Sequence, residues 1–169
     1  MIKDLRSIIR EHRAPILKRW LGEIFETYPA DTARFLRSES DRFANPVGHT
    51  VSVNAGHILD GLIESADAAA LSEYMEQVIR IRAVQDFTPA GAVYFIGSLK
   101  TVIAAQLRTE ISRRGLQDEW RTVEAHIDSL TARAYQLHDE MKQKIDDIRA
   151  KEADRSELIF KRLTGCRAV

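Results

Sequence analysis

Apolar residues recur at intervals of three and four along almost the whole chain, which is the period of an amphipathic α-helix. The most apolar stripe follows Thr88 and Pro89. This pair is typical of a helix start, because the threonine hydroxyl can cap the helix and proline fits its first position. The stripe consists of Ala92, Phe95, Ile96, Leu99, Val102, Ile103, Leu107 and Ile111. A stripe this wide needs cover from more than one side, so it predicts a central helix.

The first helix is predicted from Asp4 to Tyr28, with an interruption at Pro15. Proline removes one backbone hydrogen bond and crowds the preceding turn. We therefore expect a kink or a break near Ala14. The dipeptide formed by Tyr28 and Pro29 then ends this element, because a residue that precedes proline disfavours the helical conformation.

Three further helices are predicted between the first and the central helix. Asp31 can cap a short helix that carries Phe35 and Leu36. Asn45 followed by Pro46 repeats the start seen before the central helix. A turn at residues 65–67 then separates the second of these helices from the third, which ends near residue 86. The inward positions of the second and third helices are Val47, Val51, Ala55, Ile58, Leu62, Leu71, Tyr74, Met75, Val78 and Ile79.

The last helix is predicted to begin near Asp118, after a stop at Gly115, and to extend beyond Leu158. Its apolar residues follow a heptad seam: Trp120, Val123, Ile127, Leu130, Ala134, Leu137 and Met141. A helix of about 40 residues spans about 60 Å, which is more than one small domain needs. We therefore predict that the seam is a dimer interface, with the central helix contributing to a four-helix core. The predicted organisation is a helical sensory domain at 1–141 and a charged continuation of the last helix at 142–169.

Composition excludes several classes of partner and compartment. The chain of 169 residues fits one domain, and its 25 Lys and Arg balance its 25 Asp and Glu. A formal net charge of zero does not favour nucleic acid or an anionic membrane as a partner. Cys166 is the only cysteine, so we expect no disulfide framework and no thiolate metal cluster. The apolar runs predict neither a signal peptide nor a membrane span, and we expect a cytoplasmic protein.

Residue sets for catalysis or metal binding are not evident. The nucleophile, nucleotide and zinc-protease motifs are missing, so the sequence predicts no catalytic residue, no metal and no cofactor. His49 and His57 are eight residues apart, or about 12 Å along a helix, and cannot share a metal by themselves. A haem needs only a single proximal histidine. If His49 or His57 lies on an inward face, a haem-binding sensor therefore remains an alternative. An ordinary histidine remains the favoured interpretation.

A candidate polar junction is predicted where charged residues collect in two segments. Its members are Arg37, Glu39, Asp41, Arg42, Asn45, Arg80, Arg82 and Asp86. If the segments meet, arginine side chains can bind carboxylates across the junction, and we predict a pair of Arg42 with Asp86 or of Glu39 with Arg80. Structural fixing of the loop from Phe35 is the favoured interpretation, and a ligand pocket is the alternative.

Two blocks, FLRSESDRFANPVGHT and IRIRAVQDFTPAGAVYFIGSLKTVI, resemble the N-terminal domain family of the RsbT co-antagonist protein RsbRD. The resemblance extends from the helix of Trp20 and Leu21 through KIDDIRAKEADR. It implies a signal-input domain that is dimeric through its last helices and placed ahead of a STAS or histidine-kinase output module. More distant relatives imply a globin-like fold without haem. The sequence ends at Val169 before such a module, so we expect the output module to be a separate protein.

Three functions are weighed. The first is a non-enzymatic regulatory domain that forms a homodimer and relays a signal to a partner protein through its last helix. The second is a small-molecule or haem-binding sensor, and the third, an enzyme, has no motif in its favour. We predict the first function, on an all-α single-domain helical bundle with a long C-terminal helix. An absorption spectrum would separate it from a haem sensor.

Overall fold

The computed structural model describes residues 4–85 and 87–165. In this part of the chain 87% of the residues are helical, and there are seven helices and no strands. The helices are α1 (Leu5–Glu11), α2 (Arg13–Glu26), α3 (Ala30–Ser38), α4 (Pro46–Ile63), α5 (Ala68–Val84), α6 (Pro89–Arg114) and α7 (Gln117–Gly165). The predicted all-α class and the long C-terminal helix are confirmed.

The predicted break near Pro15 is confirmed, and it divides the first predicted helix into α1 and α2. His12 separates the two helices, three residues before the proline. Pro15 lies in the first turn of α2, where a missing N–H costs no intrahelical bond. The carbonyl of His12 accepts the N–H of Ile16 at 3.0 Å, so the new helix begins immediately.

Three side chains cap the middle helices. Asn45, Asp67 and Thr88 each accept the backbone N–H of the residue three positions ahead, at the starts of α4, α5 and α6. The predicted starts at Asn45 and Thr88 are thereby confirmed. The predicted cap at Asp31 is wrong: Pro29 precedes α3 without a side-chain cap, and Asp31 lies within the first turn.

Helix α6 is the centre of the domain. It contacts α1, α2, α5 and α7, and all eight residues of its predicted apolar stripe are buried. The indole Nε1 of Trp20, on α2, donates a hydrogen bond to the carbonyl of Phe95 at 2.6 Å. Burial from several sides explains why the stripe is so wide.

The same helix is long and apolar enough to satisfy the length and composition of a membrane span. Its most apolar 18-residue window has a mean hydropathy of 1.3, a property that the pattern of apolar runs did not predict. Half of that window is buried inside the domain. Because a core helix passes the same test, this property is weak evidence for a membrane and does not indicate a span.

Helix α7 has a packed half and an exposed half. Gly115, with a left-handed φ of 68°, ends α6 and lets the chain reverse into α7. Along residues 117–141, α7 packs on α5 and α6. Beyond Met141 the side chains up to Gly165 are exposed, except for two half-buried positions, Lys142 and Ile145.

The predicted dimer seam lies in the packed half of α7. Six of its seven residues are buried: Val123, Ile127, Leu130, Ala134, Leu137 and Met141. Trp120 is half-buried against the same core. The seam is therefore covered by α5 and α6 of its own chain, and the dimer stays a prediction.

Candidate functional site

The predicted polar junction is divided between two places. Arg82 lies inside the bundle, in a cluster that we call the arginine joint, formed with Ile24, Thr27 and Gly91. Arg37 and Glu39 line a surface groove between α2, α3 and α4, and Asn45 lies in the loop that joins α3 to α4. Asp41, Arg42 and Arg80 are exposed, and Asp86 lies outside the described residues.

The arginine joint connects three helices through one side chain. Arg82 of α5 is 0% exposed. Its guanidinium donates to the carbonyl of Gly91 at 2.9 Å, to the carbonyl of Ile24 at 3.3 Å and to the hydroxyl of Thr27 at 3.1 Å. One planar donor group thus ties α5 to the end of α2 and to the first turn of α6.

Aromatic rings surround the same guanidinium. Its central carbon lies 4.8 Å from the ring centroid of Phe87, 5.5 Å from that of Tyr28 and 5.7 Å from that of Phe95. Cation–π attraction to these faces offsets part of the lost hydration. Within the described chain, Arg82 has no carboxylate partner, and its Nε has no hydrogen-bond acceptor.

Burial changes the protonation equilibria of the joint. Desolvation lowers the pKa of Arg82, because the charged form has lost water. Desolvation likewise raises the pKa of Tyr28, and the positive charge of Arg82 opposes that shift. Arg82 is inaccessible to solvent, and its hydrogen bonds hold α5 against the end of α2 and the start of α6.

The described members of the predicted pairs, Glu39, Arg42 and Arg80, have contacts within their own segments. Arg80 forms an ion pair with Glu76, one turn earlier on α5, at 2.8 Å. The Glu39 carboxylate accepts the backbone N–H of Asp41 at 2.8 Å. Exposed Arg42 stacks on the ring of the next residue, 4.6 Å from its centroid. The predicted pair of Glu39 and Arg80 is thus wrong for the described chain.

Asn45 fixes the loop that joins α3 to α4. It is 2% exposed, and its amide nitrogen donates to the carbonyls of Leu36 at 3.1 Å and Glu39 at 3.0 Å. Its amide oxygen accepts the N–H of Gly48 at 2.8 Å. A Cβ on Gly48 would overlap the Asn45 side chain, so glycine permits this close approach. The Asn45 amide therefore supports the favoured interpretation, a fixed loop, without a carboxylate partner.

The surface groove encloses a volume of about 590 Å³, within the range typical of small-molecule sites. Its apolar lining comes from Leu21 and Phe25 of α2 and from Leu36 of α3. Arg37 closes one end by donating to the carboxylate of Glu26 at 3.1 Å. The other polar residues of the lining are Lys18, Glu39, Ser40, His49 and Ser52.

The histidines do not converge on a common site. His49 and His57 are exposed, so the inward-facing interpretation is wrong for both. Buried His138 was missed, although it lies four residues after Ala134 on the packed face of α7. Its ring nitrogens have no hydrogen-bond partner, and its Nδ1 lies 3.6 Å from the Asp139 carboxylate. Among the residues of known placement, no three His, Cys, Asp or Glu could together hold a metal ion.

Comparison with known proteins gives one match. The family model described as "RsbT co-antagonist protein rsbRD N-terminal domain" matches residues 14–153. The match runs from the first turn of α2 into the exposed half of α7, and it confirms the resemblance seen in the sequence. No curated protein and no solved structure matches the chain.

Proposed function

The chain belongs to the RsbT co-antagonist protein RsbRD N-terminal domain family, and from this we propose a non-enzymatic signal-input domain that dimerises and relays a signal through α7 to a partner protein. The family is a regulatory signalling domain. Dimerisation, the partner and a cytoplasmic location are parts of the proposal.

The observation that carries the proposal is the exposed half of α7. Residues 142–165 continue the helix for about 36 Å beyond Met141. This half also exposes five large apolar side chains: Ile148, Leu158, Ile159, Phe160 and Leu163. A helix that exposes several apolar residues is typical of an interaction surface. We place the dimer contact on this half, because α5 and α6 already cover the predicted seam.

The packed half of α7 supplies a route for the signal. It lies against α5, which carries Arg82, and against the central helix α6. The arginine joint links those two helices to the end of α2. A shift among them therefore changes the surface on which α7 rests. Packed interfaces of this kind tend to switch between discrete arrangements, which suits a relay.

Light scattering tests the dimer. We expect the wild type to have the mass of two chains and the double variant Ile159→Glu with Leu163→Glu to have the mass of one. Circular dichroism should show little change in helix content, because both side chains are exposed. Ser156→Glu adds charge to the same half without removing an apolar residue and should remain dimeric. A monomeric wild type, or an unaltered double variant, would contradict this proposal.

Truncation tests the relay. Deleting the residues after Met141 should leave the thermal stability of the bundle nearly unchanged, because few buried contacts are lost. The same deletion should abolish co-purification with the native partner. A truncated chain that still retained that partner would place the docking surface elsewhere.

A haem sensor has less support than a relay domain. The sequence pattern that favoured it placed His49 or His57 on an inward face, and both are exposed. The absorption spectrum of freshly purified protein should therefore lack a Soret band. The globin-like arrangement of the helices stays a prediction.

A further inference from the structure

The groove exists because one face of α2 combines apolar residues with a glycine. Lys18, Leu21, Gly22 and Phe25 follow helical spacing and lie along one face. A Cβ built on Gly22 would have nothing within 4 Å, so this position leaves open space beside the apolar lining. Asn45 holds the opposite wall in place. The groove is thus a formed feature of the fold.

The charged side chains that line the groove differ in what they already bind. Arg37 and Glu26 neutralise each other across one end. The carboxylate of Glu39 already accepts a backbone N–H. Lys18 has no ion pair or hydrogen bond within the described residues. The charged group of the described lining that lacks a polar partner is therefore the exposed ammonium of Lys18, about 12 Å from Glu26 along α2. Glu39 keeps its negative charge, because one backbone N–H does not neutralise a carboxylate.

We propose that the groove binds a small amphipathic carboxylate. Its charged end pairs with Lys18, beside His49 and Ser52, and its apolar body lies along Leu21 and Phe25. One ammonium matches one negative charge, whereas a phosphate group is usually bound by arginines or several N–H donors. The apolar lining excludes a fully polar anion, because it offers few partners for polar groups.

The position of the groove connects it to the arginine joint. Helix α2 carries the groove on one face and buries Trp20 and Ile24 against the core on another. The carbonyl of Ile24 is one of the acceptors of Arg82. A ligand wedged between α2 and its neighbours would therefore act on the same helix that the joint holds. We infer that this ligand is the signal, and only this inference rests on the proposed function.

Calorimetric titration of the full chain with three probes of equal length tests the charge. Octanoate, octanol and octylammonium share the apolar chain and differ in the head group. We expect octanoate to bind about threefold more tightly than octanol, because solvent weakens an ion pair with the exposed Lys18. Octylammonium should bind least. Lys18→Gln should remove the preference for octanoate, and Lys151→Gln, on the exposed half of α7, should preserve it.

Substitution of Gly22 tests the location. Gly22→Leu should fill the groove and reduce octanoate binding by more than tenfold, without a clash that would unfold the domain. Gly97→Leu is a matched control, since a Cβ added to this helical glycine of α6 would also have nothing within 4 Å, and Gly97 lies away from the groove. It should bind octanoate like the wild type. Circular dichroism and thermal melts check that both variants are folded.

Three results would overturn the proposal. They are no octanoate binding to the wild type at millimolar concentration, equal binding of the three probes, and unchanged binding to folded Gly22→Leu. These titrations use no partner protein. Their failure therefore leaves dimerisation and relay intact, and a monomeric wild type would leave the groove intact.

Discussion

The arginine joint and the surface loop at residues 39–44 contain arginines from the same predicted junction, yet they hold them in opposite ways. Arg82 is 0% exposed and is bound by carbonyls, a hydroxyl and aromatic rings. Arg42 keeps its water and rests on a neighbouring ring. The loop itself is fixed by Asn45.

The comparison teaches that burial decides what an arginine contributes to stability. A guanidinium inside the bundle has lost its hydration, so its remaining partners and its packing must compensate. An exposed guanidinium can replace its protein partners by water, so its contacts contribute little to the free energy of unfolding. Four predictions about side chains of different burial test this contrast, beginning with the joint.

Arg82→Ala should have the largest effect. It removes three hydrogen bonds and leaves a cavity among aromatic rings, so we expect a loss of about 3 kcal/mol in the free energy of unfolding. Urea denaturation measures it. Arg82→Met keeps most of the side-chain volume and should lose less free energy of unfolding. The difference between the two variants separates the contribution of packing from that of hydrogen bonding. A loss below about 1 kcal/mol for the alanine variant would contradict the importance of the joint.

Asn45→Ala should come next, at about 2 kcal/mol, because it removes the cap of α4 and one donor to two carbonyls at the end of α3. Asp67→Ala is the matched control, since Asp67 caps α5 at an exposed position. It should cost about 1 kcal/mol or less. Urea denaturation measures both losses in the free energy of unfolding. Equal losses for the two variants would show that burial of the Asn45 amide adds nothing to its capping role.

The pair of Arg13 and Asp60 should contribute a few tenths of a kcal/mol, because both side chains are more than one-third exposed. The hydrogen bond from Arg13 lowers the pKa of Asp60. Its contribution is therefore present above the unfolded pKa of about 3.9 and is lost as pH falls through the lower folded pKa. Urea midpoints of the wild type and Asp60→Asn should differ near neutral pH and converge in strong acid. A difference that persisted in acid would assign the effect to another interaction.

Arg42→Ala and Arg80→Ala should have the smallest effects, each within about 0.5 kcal/mol. One side chain stacks on an exposed ring, and the other pairs within its own helix. Urea denaturation alongside Arg82→Ala measures the contrast directly. A loss of several kcal/mol for either variant would mean that the loop and the joint are a single network after all.

Local signals predicted most of the helix boundaries. Asn45, Thr88 and Gly115 act within one turn of their own position, so their chemistry can be read without knowing the fold. The break at Pro15 is local in the same sense. The predicted cap at Asp31 was wrong because aspartate is common both at the cap and in the first turn, so its presence alone does not fix where a helix begins.

Contacts between distant segments were less predictable. A seam of three- and four-residue spacing fits α5 and α6 of the same chain as well as a second chain, so its partner could not be read from period alone. Helical spacing could have separated the two arginines of α5. Arg82 follows Val78 and Ile79 by four and three residues and shares their buried face, whereas Arg80 does not.

The exposed half of α7 also acts as a lever arm. It extends about 36 Å from the point where α7 leaves the bundle, so a tilt of about 5° at Met141 would displace the end of the helix by about 3 Å. The helix shifts of 1–2 Å that are common at packed interfaces produce tilts of this order over a few turns. Gly165 is therefore displaced by a larger distance than the helices inside the bundle. The ratio of the two displacements increases with the length of the exposed half of α7.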